Sequence, residues 1–120
     1  MNNPKEAGLS STYIFKISPV SGFTPTNLGI TFPNNFFIDS SSLTVAIANT
    51  YLSNFFSYLD YNNIQALVSN TATVQGIQAS SFTTFTASGT SVYLANVSQY
   101  VSSTKWSYVF VSGVHNPSSY

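Results

Sequence analysis

The sequence predicts an all-β, antiparallel sandwich of seven or eight short strands. Three observations carry that prediction. Apolar residues recur with a period of two in most segments, those segments are rich in β-branched and aromatic residues, and clusters of Gly, Pro, Asn and Ser bound them. A parallel α/β arrangement needs crossover helices, and 120 residues with almost no helical periodicity leave no room for them.

Residues 1–10 read as an N-terminal arm or linker, and residues 11–120 as the sandwich domain. In "STYIFKIS" (11–18), Tyr13, Phe15 and Ile17 share one face and Thr12, Ile14 and Lys16 the other. "NLGITF" (27–32) alternates Leu28, Ile30 and Phe32 with Gly29 and Thr31, and Pro19, Pro25 and Pro33 mark strand ends or loops. "LTVAIA" (43–48) turns Leu43, Val45 and Ile47 to one side. "NTYLSNFFSYLDYNN" (49–63) comes closest to helical spacing, through Leu52, Phe55, Phe56 and Leu59, with Asn49 or Thr50 as cap. "NIQALVS" (63–69) returns to alternation, and "TVQGIQ" (73–78) and "SFTTFT" (81–86) are weaker strands. "ASG" (87–89) is the clearest tight turn, joining 81–86 to "TSVYLANV" (90–97) as a hairpin. "KWSYVFV" (105–111) is the last strand, and "SGVHNPSS" after it reads as a bend. One face of each strand is expected to pack inward and the other to carry Thr, Ser, Lys or Gln. Short strands at this spacing suit a sandwich of immunoglobulin-like type.

The surface is unusual in kind. Charged residues make up 5% of the chain against roughly 25% in ordinary soluble domains. Forty-six Ser, Thr and Asn residues stand beside six charges, so hydroxyls and amides must supply the polar exterior. Three scattered lysines and no arginine cannot neutralise a phosphate backbone, which argues against nucleic-acid partners. An anionic membrane surface is disfavoured for the same reason. Near-zero net charge favours self-association instead. The longest apolar runs, "VAIA" and "YVFV", are too short to span a bilayer, and "MNNPKEAGLSS" lacks the basic and apolar regions of a secretory signal.

Catalytic inventories come up short. The one histidine, His115, reads as a loop residue, and Asp39 and Asp60 read as a turn-former and a cap, expected to lie apart from each other and from His115. With no cysteine, one histidine and no clustered carboxylates, neither a zinc nor a calcium site is expected, and no phosphate-binding glycine loop suggests a cofactor. "NVS" (96–98) is an N-glycosylation sequon, making Asn96 the candidate acceptor in a secreted chain. Most aromatic residues sit at core positions, but Tyr51, Phe55, Phe56, Tyr58 and Tyr61 crowd one segment and form a candidate binding patch.

Two stretches are more specific than pattern: "STYIFKISPVSGFTPTNLGITFPNNF" (11–36) and "FVSGVHNPSSY" (110–120). Together they resemble the tandem immunoglobulin-like repeats of large secreted or cell-surface proteins of ciliates and related protists. In those repeats a Y-x-F-x-I strand, an I-x-F-P-x-x-F segment and a G-x-x-N-P-S/P-S turn recur in this order. The resemblance covers roughly a third of the chain and implies an immunoglobulin-like fold in an extracellular or cell-surface setting, with no active site. In such repeats one more strand follows the N-P-S-S turn. Here none follows, so the sandwich is expected to lack its last strand and to accept one from a neighbour, with Tyr13, Phe15 and Ile17 on the strand most suited to exchange. A head-to-tail contact of that kind builds filaments of identical subunits. The expectation is a non-catalytic, glycan-bearing module of an extracellular fibre, filament or coat. The alternative is a glycan-binding or adhesive domain that uses the aromatic patch.

Overall fold

The computed structural model describes residues 2–3 and 10–117. Its strands are β1 (Asn2–Asn3), β2 (Ser10–Ile17), β3 (Leu28–Thr31), β4 (Phe37–Ile38), β5 (Thr44–Thr50), β6 (Ser80–Phe82), β7 (Phe85–Ser88), β8 (Ser91–Leu94) and β9 (Trp106–His115). Among the described residues the remaining elements are one α-helix, α1 (Tyr61–Val68), and 3-10 turns at Phe55–Tyr58 and Val97–Gln99. Every strand pair is antiparallel. The larger sheet has the order β1-β2-β9-β5-β6, with β4 joining β9 on the β5 side, and the smaller has the order β3-β8-β7. The expected all-β antiparallel sandwich is present, with seven strands of three residues or more among the described residues.

β9 is the spine. Its Val109, Val111 and Val114, with Val45 and Ile47 of β5, share a core with Val92 and Leu94 of β8 in the small sheet. Tyr13, Phe15 and Ile17 of β2 pack at the side of this cluster. The opposite face of the large sheet is also buried, which corrects the expectation of a polar exterior. Ile14, Ala46, Ala48, Tyr108 and Phe110 there form a second core with Phe55, Leu59, Ile64 and Leu67. Small residues oppose large ones across the β5–β9 pair, Ala46 against Phe110 and Ala48 against Tyr108. That difference in size makes room for the helical layer.

The segment 63–69, expected as a strand, is helical. Asp60 accepts from the Asn63 backbone N–H at 2.9 Å, and the Asn63 side chain accepts in return from the Asp60 N–H at 2.7 Å. This reciprocal capping box starts α1, and Ile64 and Leu67 then fall on the buried face at helical spacing. Asn49 and Thr50, expected as caps, instead end β5. Segment 73–78 is a turn, closed by a Val74–Ile77 bridge around Gln75 and Gly76, both at positive φ. The expected strand 81–86 is split between the sheets: β6 ends at Phe82 and β7 begins at Phe85. The Gly89 hairpin joins β7 to β8 as expected, with Ser88 paired to Ser91.

β9 also runs further than the sequence suggested, through His115. His115 is therefore a strand residue and not a loop residue, paired to Ser10 on one side and Phe37 on the other. The bend proposed for the tail lies in part at residues 118–120, outside the described residues.

Candidate functional site

The small sheet carries a groove on its outer face. Alternation turns Leu28, Ile30, Ala87, Val92 and Leu94 towards the core. It leaves Gly29, Thr31, Thr86, Ser88, Ser91 and Tyr93 on the outer face. Tyr93 sits on the central strand, opposite Gly29 on one side and Thr86 on the other. Its ring lies across Gly29, where an added Cβ would meet Cδ1 at 3.7 Å. An aromatic side chain beside a cross-strand glycine shields its backbone, and Tyr93 remains 52% exposed. Beside it runs a groove of about 680 Å³, lined by Asn27, Gly29, Thr84, Thr86, Tyr93 and Ala95 among others, none of them charged.

Asn96 stands at the rim of this groove. It adopts the left-handed conformation (φ 59, ψ 46) that asparagine tolerates best after glycine. Its backbone N–H donates to Asn27 Oδ1 at 3.3 Å. Its side chain makes no capping bond to the 3-10 turn that follows, and both Asn96 and Ser98 are exposed. The sequon therefore occupies an accessible turn beside an exposed ring. Sequence reading found Asn96 but passed over Tyr93 and Gly29. The available signal was a glycine inside a strand, which marks a close approach.

The sheet edges form a second surface. Among the described residues no strand pairs with the outer sides of β3, β6 or β7. None of these strands contains a charged residue or a proline, the usual guards of an exposed edge. β2 differs: β1 covers it at Thr12–Tyr13, and Lys16 projects from it towards the Trp106 ring, 4.4 Å from the centroid, bonding the Ser53 carbonyl.

Tyr13, Phe15 and Ile17, the candidate exchange residues, are seated within their own chain. β2 pairs with β9 from Ser10–His115 to Ile17–Ser107. The rings of Tyr13 and Phe15 meet Phe32 edge-on at 5.1 and 6.1 Å. The candidate aromatic patch separates. Phe55 is fully buried and, with Phe56, packs on Tyr108 at 5.1 and 5.2 Å, so these two rings serve the second core. Phe55 is accordingly removed from the patch. Tyr51, Tyr58 and Tyr61 stay exposed, with Lys105 Nζ 5.1 Å above the Tyr51 ring.

Contrary to expectation, Asp39 and His115 are brought close. The Asp39 N–H bonds the Gly113 carbonyl at 3.1 Å, two residues from His115. Hydrogen bonds from the Ser41 and Ser42 side chains hold the Asp39 carboxyl below its ordinary range, with a further contribution from His115. Ser41 Oγ donates to Asp39 Oδ1 at 2.7 Å. The Ser41 N–H donates to the same oxygen at 3.2 Å, the arrangement of an Asx turn. Asp60 is committed to the α1 cap.

Among the described residues no three His, Cys, Asp or Glu side chains assemble as metal ligands, and no helix is long and apolar enough to cross a membrane. Comparison with protein-family models, curated proteins and solved structures found no match for this chain.

Proposed function

We propose that the protein is a non-catalytic structural module of an extracellular fibre, filament or surface coat, whose copies associate by pairing sheet edges. The observation that carries this reading is the set of three edges, β3, β6 and β7, left unguarded among the described residues of a chain with only six charges. Unpaired strand edges recruit other strands unless charge, proline or a cover prevents it. The near-neutral, hydroxyl-rich exterior adds no repulsion between copies. The two end motifs that resemble extracellular repeats support the setting. Edge pairing is favoured over donation of β2, because extracting β2 would strip Tyr13 and Phe15 from the first core.

The test places one lysine on each open edge: Thr31→Lys, Ser81→Lys and Ser88→Lys. These positions are exposed, so the fold should persist. The wild-type chain is expected to sediment as concentration-dependent oligomers and to form fibres by negative-stain microscopy, and the triple variant to sediment as a monomer. A wild-type chain that stays monomeric at every concentration ends the proposal.

A second reading, glycan binding through exposed rings, is favoured by Tyr51, Tyr58 and Tyr61. Loss of glycan-array signal in a Tyr58→Ala, Tyr61→Ala variant with unchanged circular dichroism would support it, and retained signal would remove it.

A further inference from the structure

We infer that Asn96 carries an N-linked glycan whose first sugars lie in the outer groove of the small sheet, stacked on Tyr93. This rests on the extracellular part of the reading above, since N-glycosylation needs passage through a secretory lumen.

Groove and sequon share residues: Ala95, the chain neighbour of Asn96, and Asn27, its hydrogen-bond partner, both line the groove. Tyr93 lies three residues before Asn96, so their Cα atoms are at most about 11 Å apart. An asparagine side chain extended by one or two sugar rings spans that distance. The backbone between them is fixed. Ala95 N–H bonds the Thr84 carbonyl at 2.9 Å, Asn96 N–H bonds Asn27, and Val97 N–H bonds the Thr26 carbonyl at 2.8 Å. A sugar attached at Asn96 is thus launched from a rigid point.

The chemistry of the groove fits the same occupant. A pyranose has one face of C–H groups and a rim of hydroxyls. Tyr93 offers a flat, exposed ring with little conformational entropy to lose. Thr84, Thr86 and Asn27 offer hydroxyl and amide partners around it. Among the described residues no charge lines the groove, so a neutral sugar displaces only water held by dipoles. A peptide or an anion would find no charge to pair with.

The modification balances with one named co-reactant, a lipid-pyrophosphate-linked oligosaccharide, and the transferase of the secretory lumen. Asn96 Nδ2 forms a bond to C1 of the first N-acetylglucosamine and loses one proton. The C1–O bond to the pyrophosphate breaks, and its electron pair leaves with the lipid pyrophosphate. Ser98 supplies the hydroxyl that the transferase reads, and it is exposed.

The experiment secretes the full chain from a eukaryotic host beside a control protein with a known sequon. Intact mass should show one glycan, lost in Asn96→Gln and Ser98→Ala and retained in Ser98→Thr. Glycosylated wild type should then melt about 4 °C above Asn96→Gln. That gap should close in the Tyr93→Ala background and persist in Tyr93→Phe. The phenylalanine variant covers the case in which uncovering Gly29 perturbs the fold. An unmodified Asn96 beside a modified control overturns the inference. A glycan whose effect on melting is the same with and without the ring overturns the stacking. Edge pairing is read on unglycosylated chain from a bacterial host, so the two proposals fail separately.

Discussion

At the level of single residues, Gly113 shows how one backbone conformation organises the spine. The β2–β9 register slips at this point, Ser11 opposing Val114 and Thr12 opposing Ser112, so Gly113 is the extra residue of a bulge. Its φ is +98, and an added Cβ would lie 2.8 Å from the Ser42 carbonyl oxygen. Two costs coincide there, a strained conformation and a backbone collision. Gly22 carries only the first, with φ +76 and open space around the Cβ. Gly113→Ala is expected to lower the unfolding free energy by more than the roughly 1–3 kcal/mol of backbone strain alone, and Gly22→Ala by no more than that. Urea denaturation of the two variants checks this. Equal losses would show that the Ser42 contact yields freely. Nothing in "SGVHN" reveals the bulge, because the glycine reads equally well as the start of a turn. That reading is what cut the strand short of His115.

At the scale of elements, the sequence was most legible where one period operated without competition. β2, β3 and the β7–β8 hairpin alternate cleanly and end at Pro or Gly. α1 was lost because "NIQALV" satisfies two periods at once: Ile64, Ala66 and Val68 alternate, while Ile64, Leu67 and Val68 fit a helix. The deciding signal was the cap, Asp60 with Asn63 three residues on. Asp60→Ala removes the acceptor of the Asn63 N–H and is expected to cost about 0.5–2 kcal/mol. The loss should be confined to the second core, raising amide exchange in 61–68 before the small sheet responds. Uniform acceleration across both sheets would mean that α1 and the sandwich unfold as one unit. The candidate site divides in the same way. The sequon was visible because it is a local motif, whereas the Tyr93–Gly29 pair exists only once β3 lies beside β8, a contact between residues 64 apart.

For the molecule as a whole, the governing fact is that β5 and β9 are buried on both faces. The continuous runs "VAIA" and "YVFV" are the sequence sign of two-sided burial, more familiar from strands covered by helices. Tyr108 makes this testable, because it places a titratable group inside the second core. It is fully buried, and its hydroxyl donates to the Leu52 carbonyl at 2.9 Å. Burial raises its pKa above the ordinary value. A phenol raised in the folded state stabilises the fold while the unfolded chain is still neutral, below about pH 10. That contribution is lost as the pH rises through the folded pKa, the unfolded tyrosine ionising first. At the acid end, the lowered carboxyl of Asp39 stabilises above the ordinary aspartate range and ceases to do so as pH falls through its folded value. Unfolding free energy measured in urea is therefore expected to fall beyond about pH 10, by at most about 1.4 kcal/mol per pH unit for this one group. Tyr108→Phe should lose about 1 kcal/mol at neutral pH, because the Leu52 carbonyl is left without its donor. It should then show a shallower alkaline decline than wild type. Parallel alkaline limbs in the two proteins would place the titration elsewhere and leave Tyr108 as a packing residue alone.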